Sequence, residues 1–277
     1  MPSCQYHKIS RDFIEELATQ LQSYHQIAVI GPPQSAKALL LEELEELANT
    51  RNLAHPKRII WEDFVSLSET ECIAQLRTFF DLVGSAKSDI SLAEALVDII
   101  REATENGPIW ILLQDILGFC RPIANQILDG LRLAQEALPN RFGVVVTGSK
   151  ELLWLTHDTD GRFKPTQVYF VFQMEEEFAK NYFLKCRRRY TPLLSFEEAI
   201  EPQAFAYLYE ETQGIPYLIQ ELAIGVGRHF YNSRGIELGQ QWQLAETQKY
   251  ITGYSKSYLL HDSRFAQALQ EVELNRV

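Results

Sequence analysis

The chain has 277 residues, 46% of them hydrophobic and 23% charged, with a formal net charge of −11. That length suits one large domain or a core plus a small second unit, and the apolar share fills a core, which excludes a mainly disordered chain. The acidic balance excludes non-specific nucleic-acid binding over the whole surface and leaves only a local basic patch for such a role.

Four cysteines (Cys4, Cys72, Cys120, Cys186) stand far apart with no C-x-x-C, so reduced thiols are expected rather than a disulfide framework or a zinc site. The six histidines show no metal-ligand spacing, and no metal site is expected. The opening "MPSCQYHKIS" lacks an apolar secretion core, and no apolar run approaches the roughly 20 residues that span a bilayer. A cytoplasmic protein without a membrane segment is the expectation.

In chain order, a first helix is predicted over 11–24, with Ser10 as its N-cap and Phe13, Ile14, Leu17 and Leu21 on one face. A strand at 26–30, a loop at 31–38 and a helix through about Ala48 follow. "KRIIWEDF" (57–64) reads as the next strand, with Glu62 and Asp63 at its end. Ser68 with Glu71, and Ser91 with Glu94, fit capping boxes ahead of amphipathic runs at 69–83 and 92–105. "GPIWILLQDI" (107–116) is a continuous apolar run, as expected of a strand covered on both faces. A helix at about 122–137 and strands at 141–149 and 166–173 complete an alternation of strands and helices, which predicts a parallel sheet between helix layers. From about 174 the periodicity is wholly helical: 175–189, 195–213 (Ser195 with Glu198, a third capping box), 216–232 and one helix near the C-terminus. The expected division is an α/β domain over 1–173 and a small helical domain over 174–277.

The loop carries the chemistry. A phosphate loop needs successive backbone N–H groups at a helix N-terminus, a lysine to neutralise phosphate, and a Ser/Thr hydroxyl for Mg²⁺. Gly31-Pro32-Pro33-Gln34-Ser35-Ala36-Lys37-Ala38 lies between a strand and a helix and resembles the "GPPGTGKT" loop of AAA+ ATPases at its first three residues and its lysine. Gln34 and Ala36 stand where that pattern has glycine, and Ala38 stands where it has the metal-binding hydroxyl. Taken without the later motifs, the stretch also fits an unrelated strand–turn–helix with Lys37 in water.

Other landmarks of the family follow in its order over roughly residues 10–232. AAA+ proteins end the central strand with Asp-Glu, for metal and water. Here the apolar run places Gln114 and Asp115 there, or, slipped by one, Asp115 and Ile116. "VVVTGS" puts Thr147 at the sensor position, and "DGRFK" resembles the segment that carries the arginine finger, making Arg162 the candidate finger for a neighbour's site. "TQGIPYLIQELA" (212–223) resembles the lid segment of STAND and archaeal-type ATPases, with Gly214 and Pro216 matching. The resemblance therefore implies a P-loop NTPase-type α/β domain followed by a small all-helical lid. It implies ATP or ADP at Gly31, Pro33, Gln34, Ser35, Ala36, Lys37, Ala38, Thr147 and Pro216, with Mg²⁺ poorly held because an amide and a methyl group replace its ligands.

Three functions remain open on the sequence. The leading one is a pseudo-ATPase with degenerate Walker A and Walker B motifs, working as a regulatory or assembly subunit in an oligomer or beside an active ATPase partner. The second is a slow but genuine ATPase using Asp115. The third is a nucleic-acid or scaffold adaptor using Arg187, Arg188 and Arg189, three arginines that first of all fit a solvated helix end and otherwise a phosphate-contacting patch or a subunit contact. The stretch 239–260 either completes the lid's core or forms a partner surface.

Overall fold

The computed structural model describes residues 4–32, 35–60, 64, 66–83, 90–116, 121–149, 152, 164–188, 195–224 and 241–257. Six strands alternate with helices: β1 (Cys4–Ile9), α1 (Arg11–Gln22), β2 (Gln26–Ile30), α2 (Lys37–Arg51), β3 (His55–Ile60), α3 (Glu69–Phe79), α4 (Leu92–Ala103), β4 (Ile109–Gln114), α5 (Arg121–Ala137), β5 (Phe142–Gly148) and β6 (Gln167–Met174). They form one sheet in the order β1-β6-β2-β5-β4-β3. The pairs β6–β2, β2–β5, β5–β4 and β4–β3 are all parallel. Every residue of β2 and β5 is buried, as are Ile109 to Leu113 of β4. Continuous burial of that kind requires cover on both faces, which is why these strands read as unbroken apolar runs. The expected α/β architecture with flanking helices is present.

The sheet positions the site through its winding. β2 lies between β6 and β5, so the chain crosses from one side of it to the other, and the loops after β2 and β4 leave from the carboxyl ends of the parallel strands on either side of β5. Ligands of open parallel sheets bind at such ends.

Helix starts follow the capping chemistry closely. Ser68, Ser91 and Ser195 each accept the backbone N–H of Glu71, Glu94 and Glu198, and each glutamate accepts the serine's own N–H in return. These reciprocal bonds hold the three carboxyls below the usual glutamate range. Helix α1 buries Phe13, Ile14, Leu17 and Leu21, the predicted stripe.

Three expectations need correction. β1 was not anticipated: it is an edge strand, and its sequence CQYHKI has no apolar run. The strand expected at 57–64 is instead His55–Ile60, and Glu62 and Asp63 lie outside the described residues. The single helix expected over 195–213 is two, α7 (Phe196–Ala199) and α8 (Pro202–Thr212). Ile200 between them is extended (φ −154°, ψ 141°) and bridges to Trp242, while Pro202 restricts the residue before it and starts α8.

Contacts divide the chain into two compact units. The first comprises Met1–His7, Arg11–Pro33 and Lys37–Val171, and the second Lys8–Ser10, Gln34–Ala36 and Phe172–Val277. The second also holds α6 (Glu176–Arg188), α9 over 216–224, and α10 (Leu244–Ser257). Its core is aromatic: Phe183 meets Phe205 and Trp242 edge-on, at centroid distances of 5.8 and 5.4 Å. Trp242 thus completes the core of this unit. Cys72 and Cys186 are buried thiols outside any disulfide.

Candidate functional site

Four of the residues singled out from sequence meet where β2, β4 and β5 end. Gly31 follows β2, and its N–H donates to the Gly148 carbonyl at the end of β5 (3.1 Å). Lys37 is the first residue of α2, with only 4% of its side chain exposed. Its Nζ donates to the carbonyls of Gly31 (3.1 Å) and Pro32 (2.9 Å) and lies 3.3 Å from Oδ1 of Asp115. The ammonium is therefore turned back onto its own loop. Burial pushes its pKa below the usual lysine value, and the Asp115 carboxylate pulls partly the other way.

Asp115 is placed by Thr147. Thr147 Oγ1 accepts the Asp115 N–H (3.0 Å), and the Thr147 carbonyl accepts the N–H of Ile116 (3.2 Å). Asp115 turns into the left-handed region (φ 51°), which aspartate tolerates better than most residues, and its side chain stays half-exposed at 51%. Ala36, in the last glycine position of the loop pattern, also sits at φ 58°. Without glycine's freedom this backbone costs about 1–2 kcal/mol. Alanine here holds a left-handed turn that glycine would adopt freely.

Gln114, the last residue of β4, has a different partner. Its Oε1 accepts from Nε (3.3 Å) and Nη2 (2.8 Å) of Arg58 on β3, and the same guanidinium pairs with Glu42 of α2 at 3.1 Å. The register pairs Arg58 with Leu112 and Ile60 with Gln114, which puts Arg58 and Gln114 on one face of the sheet. Sequence reading missed Arg58. Its only signal is a basic residue near the end of a strand, and that becomes informative only once β3 is known to pair with β4.

The other expected residues divide clearly. Ser35 and Ala36 are buried and precede Lys37, and Ala38 is the second residue of α2. Pro216 starts α9 in the second unit, after Gly214 at φ 72°. Pro33, Gln34 and Arg162 lie outside the described residues. The arginine patch is corrected at Arg187: this side chain is 4% exposed, with its guanidinium 4.9 Å from the centre of the Trp242 ring. Burial pushes Arg187 down to about 10, and it belongs to the core of the second unit rather than to a surface patch. Arg189 and the Arg188 side chain lie outside the described residues.

Mg²⁺, implied by a phosphate loop, needs near-octahedral oxygen ligation. The residues present do not fit it. Ala38 offers a methyl group, the Gln114 oxygen already accepts two Arg58 N–H groups, and the Asp115 carboxylate is paired with Lys37. Among the described residues no group of three His, Cys, Asp or Glu side chains is placed to hold a metal, and no helix is long and apolar enough to cross a membrane.

No protein-family model matches the chain, and no curated protein matches it in sequence. Solved structures do match. The Aeropyrum pernix ORC2 protein (ADPNP–ADP complexes) is 11% identical with a TM-score of 0.59, covering 91% of this chain and 69% of that one. The Aeropyrum pernix ORC1 protein in complex with DNA is 14% identical, TM-score 0.55, covering 89% and 64%. Cdc6p from Pyrobaculum aerophilum is 16% identical, TM-score 0.55, covering 79% and 62%. The chain thus spans less than two thirds of the ORC1 and Cdc6p chains. Likeness at these identities concerns the fold alone, a P-loop NTPase-type α/β fold with a parallel sheet.

Proposed function

We propose that this chain is a non-hydrolysing AAA+/STAND-like subunit that holds ATP or ADP weakly through the loop amides and Lys37 and acts through protein contacts. One observation carries the reading. Each group that would hold or assist a metal is engaged otherwise or replaced, while the lysine and the left-handed turn at Ala36 remain. Phosphoryl transfer relies on the metal for positioning and charge neutralisation, so the retained parts suit holding rather than turnover. The nucleotide complexes of the ORC2 relative support a nucleotide as the loop's ligand. In an oligomer, or beside an active ATPase, Arg162 is the residue proposed to reach the neighbour's nucleotide.

The test is a turnover assay with Mg²⁺ATP at enzyme concentrations high enough to see a single turnover. No phosphate release above buffer is expected, for the wild type and for Asp115→Asn alike. Release by the wild type that Asp115→Asn removes would replace this reading with the slow ATPase. The DNA complex of the ORC1 relative supports a second reading, a nucleic-acid adaptor. With Arg187 buried, that reading rests on Arg188 and Arg189, and salt-dependent DNA binding lost on changing those two residues would establish it.

A further inference from the structure

We infer that Arg58 is the residue that keeps a divalent cation out of this site, by making within the protein the link that a metal would make. In a phosphate-loop site the metal ties the start of the loop helix to the end of the central strand. Here the helix is α2 and the strand is β4, and the guanidinium of Arg58 joins them at Glu42, one helical turn beyond Ala38. It gives Nε and Nη2 to the Gln114 oxygen (3.3 and 2.8 Å) and lies 3.1 Å from the Glu42 carboxylate. Arg58 and Glu42 keep only 18% and 35% of their side chains exposed, so the pair is partly shielded from water. A planar guanidinium offers its N–H groups at fixed angles, which suits two partners on two elements.

The consequence separates Arg58 from the missing ligands. Ala38→Thr with Gln114→Asp restores the hydroxyl and the carboxylate that a metal would use. With Arg58 in place, however, the new carboxylate meets a guanidinium already anchored by Glu42 and forms a charge-assisted pair with it. Divalent binding returns only when Arg58 is changed as well. This rests on reading the loop as a metal-poor nucleotide site, but it is tested on the metal itself.

The experiment compares the double variant Ala38→Thr/Gln114→Asp with two triple variants that add Arg58→Gln or Arg58→Met. Mn²⁺ is titrated and followed by electron paramagnetic resonance, alone and with excess ADP. Two different replacements guard against a variant that fails to fold. The triple variants are expected to bind one Mn²⁺ per chain at least about 10-fold more tightly than the double variant, the scale on which partners of metal ligands act. Equal Mn²⁺ binding by double and triple variants overturns the role of Arg58. ADP uptake by the wild type, measured separately by calorimetry in EDTA, decides the nucleotide-holding reading: if it is absent, that reading falls, while the titrations with Mn²⁺ alone still decide Arg58.

Discussion

Lys37→Met is expected to weaken ATP and ADP binding about 10- to 100-fold, from the loss of a charged hydrogen-bond donor to phosphate worth roughly 1.5–3 kcal/mol. The same change should leave the folded protein as stable as the wild type or more so. Lys37 is 4% exposed, and its ammonium is held by two carbonyls and one half-exposed carboxylate. Removing one partner of an ion pair is costly where the other is left buried, but Asp115 is half-exposed and can turn to water, while the desolvation of the ammonium is relieved. The pH dependence should reveal the same cause. Burial lowers the pKa of Lys37 from the ordinary 10.5, so the folded state binds this proton less well than the unfolded chain. The penalty is full below the lowered value, and wild-type stability gains as pH rises from there towards 10.5. The advantage of Lys37→Met, read from denaturant unfolding of both proteins, should therefore shrink across that window. Tyr169, pushed up to about 12 chiefly by burial, titrates alike in both proteins and cancels.

Gly214→Ala is expected to destabilise the second unit by about 2–5 kcal/mol, the sum of left-handed strain and overpacking. Gly214 sits at φ 72°, and a Cβ there would lie 2.4 Å from the Met174 carbonyl oxygen and 3.0 Å from the Tyr209 ring. That oxygen cannot step aside freely, because it accepts the Tyr209 O–H (3.0 Å), while the Met174 N–H donates to the Gly214 carbonyl (2.8 Å). Thermal unfolding followed by circular dichroism checks the size. Gly148→Ala is the control, since the three atoms nearest its Cβ all belong to the Leu152 side chain, at 3.1 Å or more.

Much of the fold was legible because local chemistry and tertiary structure agree. The apolar runs of β2, β4 and β5 are buried throughout, and all three S-x-x-E pairs form complete capping boxes. What could not be read depends on partners distant in sequence. β1 is stabilised at a sheet edge, and the break at Ile200 is set by a bridge to Trp242. The site divides in the same way. Gly31, Lys37, Asp115 and Thr147 were found from their motifs, and they do meet. Arg58 was not, because its meaning comes from the β3–β4 register and from Glu42 on α2. Arg187 misled for a related reason: three successive arginines look like a surface, and only Trp242, far along the chain, shows that the first of them is core.

The loop is proposed to hold nucleotide without metal. Calorimetric titration of wild-type protein with ATP and with ADP, in Mg²⁺ and in EDTA, tests it most directly. Weak binding is expected, with the same affinity in Mg²⁺ and in EDTA. Binding that strengthens 10-fold or more with Mg²⁺ would contradict it, and would place a metal where Ala38, Gln114 and Arg58 leave none a place.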